Sequence, residues 1–76
     1  LFQAGKYKEA LDVFTFLRNL DITDVRYSFA IAACHQYNKN YQEAAGNYII
    51  TSYLDPYNPL PNFHLYDCFM KSDQKL

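Results

Sequence analysis

Gly5-Lys6-Tyr7-Lys8-Glu9-Ala10 and, 34 positions later, Lys39-Asn40-Tyr41-Gln42-Glu43-Ala44 decide the fold. The two stretches carry Tyr, Glu and Ala at matching places, and the match continues beyond them. Phe14 falls on Tyr48, and Leu20-Asp21 falls on Leu54-Asp55. The chain is an internal repeat, so each period reads as one supersecondary unit that buries its apolar side by stacking on a neighbour.

Tyr7, Ala10, Leu11, Phe14 and Leu17 recur at three and four residues, the stripe of a helix from Tyr7 to about Leu20. A second helix is predicted from about Val25 to Tyr37, with Asp24 as an N-cap whose carboxylate accepts from unpaired backbone N–H groups. Asn38-Lys39-Asn40 then breaks the chain. Asn40 with Glu43 reads as a capping box for a helix from Tyr41 to Tyr53. Asp55-Pro56-Tyr57-Asn58-Pro59 is a loop, and Asn58 before Pro59 pairs an N-cap with proline at the first helical position, opening a helix to about Lys71. Leu1 to Ala4 complete the set of five helical segments as the last turn of a preceding helix, stopped by Gly5. No strand-like alternation competes.

A period of 34 with Tyr-x-x-Ala, an aromatic four residues on and Leu-Asp-(Pro) at the end is the spacing of the tetratricopeptide repeat. The expected fold class is all-α, tetratricopeptide-repeat helical hairpins stacked in a right-handed superhelix. Residues 1–24 hold the second half of one repeat, 25–58 a full repeat, and 59–76 the first helix of a third. Small residues belong where helices approach most closely, which assigns Ala10, Ala32 and Ala44 to those places. Tyr7, Phe14, Leu17, Ile31, Tyr41, Tyr48 and Leu65 are the expected buried bulk.

Composition narrows the functions. Half of the 76 residues are apolar, enough for a small core, and the net charge is −1 with both signs scattered. No run of Lys or Arg is present to neutralise a row of phosphates, so nucleic acid is not an expected partner. No apolar stretch nears the roughly 20 residues that span a bilayer, so direct membrane insertion is not expected either. The chain opens on Leu1 and stops at Leu76 partway through a repeat, and is read as a fragment. Its last helix then lacks a cover for Leu65 and Phe69, and self-association, including a homodimer, is expected.

Chemistry is sparse. Cys34 and Cys68 occupy equivalent positions of successive first helices. Packed helices lie about 8–10 Å apart, whereas a disulfide needs Cα atoms within about 7 Å, so both are read as buried thiols. His64 and Cys68 share a helix face, but structural zinc takes four ligands and His35 diverges from them. No metal and no cofactor is expected. Without a phosphate loop, a nucleophile elbow or a carboxylate pair beside a base, neither is enzymatic activity.

A binding surface remains. In stacked helical hairpins the first helices line a concave wall, which here receives Phe2, Arg26, Phe29, Ala33, Gln36 and Tyr37, then Leu60, Phe63, Asp67 and Met70. Such an aromatic and aliphatic strip suits an extended or helical apolar peptide. Spacing alone also leaves room for Phe29 and Phe63 to pack inward.

Beyond the repeat skeleton, Ala33-Cys34-His35-Gln36 and Pro59-x-Pro61-x-Phe63-His64-x-x-Asp67-Cys68-Phe69-x-x-Ser72-Asp73 are features that ordinary repeats do not require. With Gly5 to Phe14 and Tyr41-x-x-Ala44, they make nearly the whole chain resemble the class II chaperones of bacterial type III secretion systems, which hold hydrophobic translocator proteins. Tyr66 departs from the pattern by setting bulk at an expected close helix contact, and Gln74 departs at an expected cap. The resemblance implies a non-catalytic chaperone of the bacterial cytoplasm that keeps a pore-forming client soluble by holding a short extended segment. It implies groove positions at Phe2, Phe29, Ala33, Gln36, Phe63 and His64, flanked by Tyr37 and Met70. The alternative is a general tetratricopeptide interaction scaffold or co-chaperone that clamps an acidic C-terminus. A clamp needs several converging cationic or amide donors, and Arg26 alone does not supply them.

Overall fold

The computed structural model describes residues 7–73, which form α1 (Tyr7–Leu20), α2 (Val25–Tyr37), α3 (Tyr41–Leu54) and α4 (Leu60–Asp73), with no strand among them. α1 and α2 have the boundaries that the repeat register predicts. α3 runs one residue past Tyr53, and α4 starts one residue after Pro59 and ends two after Lys71. The expected turn at Leu1 to Ala4 lies outside the described residues, as does Gln74.

Two of the three predicted caps form. The Asp24 carboxylate accepts from the Arg26 backbone N–H at 3.0 Å, and the Asn58 side-chain oxygen accepts from that of Leu60 at 3.0 Å. The capping box at Asn40 and Glu43 does not form, since Asn40 makes no side-chain cap bond. The cause is the stop of α2. Lys39 takes a left-handed conformation with φ 65°, its N–H bonds the Gln36 carbonyl at 3.0 Å, and the Asn40 N–H bonds the His35 carbonyl at 2.8 Å. This paired closure satisfies the last carbonyls of α2 and uses up the backbone N–H that Glu43 would have reached. The Asn40 side-chain amide instead donates to the Tyr7 hydroxyl at 3.0 Å, tying the start of α3 to the start of α1.

The helices lie in two layers of a slab measuring 37 × 33 × 18 Å. α1 and α3 share one layer, joined by the Arg18 guanidinium donating to the Asn47 side chain at 2.8 Å. α2 and α4 share the other, joined by the Gln36 amide donating to Asp67 at 3.0 Å. Ala32, Ala44, Ala45, Tyr48 and Cys68 form the core, with Phe29, Tyr41 and Leu65 packed against its edge. Ala32 and Ala44 have no exposed surface, as small residues at the closest helix approach should.

Of the expected bulk, Ile31 and Tyr48 are buried, whereas Tyr7, Phe14, Leu17, Tyr41 and Leu65 are only half-buried, and so is Ala10. The reason is neighbours. α3 packs on both α2 and α4, while α1 packs on α2 and α4 on α3, so stripes on the outer helices are covered from one side. Tyr41 and Leu65 border open hollows along the outer seam of α3 and α4. Tyr66, expected to crowd a close contact, is 66% exposed because none of the described helices covers that face of α4.

Candidate functional site

The layer of α2 and α4 presents the candidate binding wall. At its centre Phe29 from α2 meets two rings edge-on: Tyr48 from α3, with centroids 5.6 Å apart, and His64 from α4, at 5.7 Å. His64 stacks on Tyr48 at 5.2 Å and meets Phe63 edge-on at 5.6 Å. Four rings from three helices thus form one continuous patch. Phe29 is wedged into its middle and half-buried, whereas Phe63 stands at its edge and is 67% exposed. The two positions left open by spacing are therefore different: Phe29 is shared between core and surface, and Phe63 belongs to the surface.

Of the other expected wall positions, Leu60, Met70 and Tyr37 are exposed, and Ala33 is half-buried. Arg26 and Phe29 line a hollow of about 290 Å³ with Val25 and Asn58. Phe2 lies outside the described residues. Arg26 is not a free cation. Its guanidinium forms a two-pronged pair with Asp24, at 3.0 and 2.6 Å, and lies over the Tyr27 ring. Those hydrogen bonds hold the Asp24 carboxyl below its ordinary pKa and push Arg26 above its own.

Two turns along the same face, the wall becomes polar. The Tyr48 hydroxyl donates to the Gln36 side-chain oxygen at 2.6 Å, the Gln36 amide donates to Asp67 at 3.0 Å, and Lys71 lies 3.3 Å from the same carboxylate oxygen. Burial, reinforced by nearby Cys68 and Asp67, raises the Tyr48 phenol far above its ordinary pKa, so it remains a donor at every working pH. Spacing assigns Gln36 and Asp67 to this face but does not reveal Tyr48 beneath them. The available signal was the hydroxyl that Tyr48 adds to its repeat equivalent, Phe14.

Cys34 and Cys68 are both free and buried. Burial raises each thiol above its ordinary pKa, which leaves them as small apolar groups at neutral pH. No helix among the described residues is long and apolar enough to cross a membrane.

With this geometry in place, similarity to known proteins becomes informative. Over 73 residues the chain is 32% identical to low calcium response locus protein H of Yersinia pestis and, to the same degree, to that of Yersinia pseudotuberculosis serotype I (strain IP32953). The similarity takes in 96% of this chain. It covers only 44% of each relative, so the chain spans less than half the length of the curated proteins it matches. No family model and no solved structure matches it.

Proposed function

We infer that this chain is part of a non-catalytic, cytoplasmic chaperone of the tetratricopeptide type, which keeps hydrophobic translocator proteins of a bacterial type III secretion system soluble. The client is held as a short extended segment against the wall of α2 and α4. The observation that carries this reading is the aromatic patch with its exposed rim. Leu60, Phe63 and Met70 stand open at three- and seven-residue spacing along α4, whose Phe63–His64 end meets half-buried Phe29 of its repeat-equivalent helix α2. Contiguous apolar surface of this kind marks an interaction site in a water-soluble protein.

Sequential packing of α1 on α2, α2 on α3 and α3 on α4 supports the tetratricopeptide register. The 32% identity to low calcium response locus protein H over nearly the whole chain supports the secretion assignment. A carboxylate-clamping co-chaperone is disfavoured, because Arg26 is neutralised by Asp24 and Lys71 lies against Asp67.

The test is Phe63→Glu. Its ring is exposed, so the fold should survive, while a carboxylate desolvated against an apolar client costs several kcal/mol, at least about a hundredfold in affinity. Fluorescence anisotropy with peptides tiling a candidate apolar translocator reads the binding, and circular dichroism controls for folding. Unchanged affinity in a folded variant removes the wall from the function.

A further inference from the structure

The repeat symmetry breaks at one place in a coordinated way. Tyr48 stands where the preceding period has Phe14, and Asp67 stands where it has Ala33. Gln36 has Phe2 one period before it and Met70 one period after. Three polar residues replace apolar repeat equivalents, and these three are the ones that hydrogen-bond to one another across α2, α3 and α4. Apolar residues at such positions pack helices well enough, so a hydrogen-bonded cluster there calls for a role beyond packing.

The cluster is not closed on itself. The Gln36 amide has two N–H groups and gives one to Asp67, and Asp67 uses one oxygen for both Gln36 and Lys71. The second Gln36 N–H and the other Asp67 oxygen have no partner among the described residues. Both side chains are half-buried, and the bond between them leaves the unused donor and the unused acceptor on neighbouring groups. A donor beside an acceptor matches the C=O and N–H of one stretch of extended backbone. Gln36 is seven residues from Phe29 on α2, about 10 Å along the helix, a distance covered by about three residues of extended chain.

We propose that Gln36 and Asp67 form a main-chain clasp: Asp67 accepts an N–H and Gln36 donates to a C=O of an extended peptide whose apolar anchor, about three residues away, sits at Phe29 and Phe63. This rests on the wall being the peptide site and adds how the segment is held in register without reading its side chains. Tyr48 is the positioning residue, since its hydroxyl fixes the amide orientation of Gln36.

The probe is a set of fluorescein-labelled Ser/Ala peptides of roughly ten residues, with two Leu anchors at varied spacing, from which the tightest binder is taken. Replacing its main-chain amides one at a time by esters removes single N–H donors. One ester, about three residues from an anchor, should weaken binding to the unaltered chain about tenfold, the loss of one charge-assisted hydrogen bond. Asp67→Ala, which restores the residue of the preceding period, should bind the amide peptide about tenfold more weakly and be indifferent to that ester. Asp67→Asn keeps an acceptor and should retain most of the binding. The Gln36 side-chain amide resonances should shift on adding peptide.

An ester scan that is flat, or equally steep in Asp67→Ala, overturns the clasp while binding that is lost in Phe63→Glu leaves the wall standing. If no peptide of the set binds, wall and clasp fall together. The ester scan and the Gln36 resonances need only the unaltered chain, so they decide the matter even if a variant fails to fold.

Discussion

Ala44, Ala45, Tyr48 and Thr51 of α3 are buried, whereas Ala10, Leu11, Phe14 and Leu17, at the same repeat positions of α1, are all partly exposed. Side-chain type does not explain this, because the α1 set is at least as apolar. The number of neighbours does. Among the described residues α3 is enclosed by α2 and α4, while α1 packs mainly on α2 and meets α3 through the Arg18–Asn47 and Tyr7–Asn40 hydrogen bonds. In a quasi-one-dimensional stack, a residue's contribution is set by its place in the row as much as by its chemistry.

The sharpest way to break this comparison is to truncate the matched aromatics. Tyr48→Ala should destabilise the chain by about 3–5 kcal/mol, the range for removing a fully enclosed ring, and Phe14→Ala by less than half of that. Urea unfolding followed by circular dichroism measures both. Equal losses would mean that α1 is as well covered as α3 and that the contrast is false.

A smaller effect separates the helix starts. Asp24 caps α2, but Asn40 leaves α3 uncapped and serves instead as a tether to Tyr7. Because hydrogen bonds from Arg26 lower the Asp24 pKa in the folded chain, its contribution is fully present above the ordinary carboxylate range and is lost as pH falls through it. Asp24→Ala should therefore lower the Tm at neutral pH, with the difference from the unaltered chain shrinking in acid and in high salt. Asn40→Ala should show no such pH dependence. A pH-independent Asp24→Ala deficit would remove the carboxylate from the account.

Much of the fold was legible because the repeat register is redundant. Tyr7 and Tyr41, Phe14 and Tyr48, and the loop at Asn58-Pro59 each fix the same helix boundaries from different chemistry. What misled was local competition and edge position. Asn40 matched a capping box in sequence, yet the stop of the preceding helix had already claimed its backbone N–H. Leu65 and Tyr41 matched core positions, but their outer side is uncovered. Spacing puts Phe29, Gln36, Phe63 and Asp67 on matching faces of α2 and α4, which the contacts between these helices bear out, but does not give their different exposures. It also gave no sign that the Tyr48 hydroxyl would reach Gln36, because that contact depends on how three helices converge.

The two buried cysteines make the molecule its own stopwatch. Cys34 lies in α2, held between α1 and α3, and Cys68 lies in α4, which among the described residues packs mainly on α3. Only the thiolate reacts with an alkylating reagent, and burial suppresses both its formation and its access, so labelling waits for each helix to lift away. The ratio of the two labelling rates under native conditions reads, in one tube and without substitution, how much more often the end of the row frays than its middle. Cys68 should be consumed first.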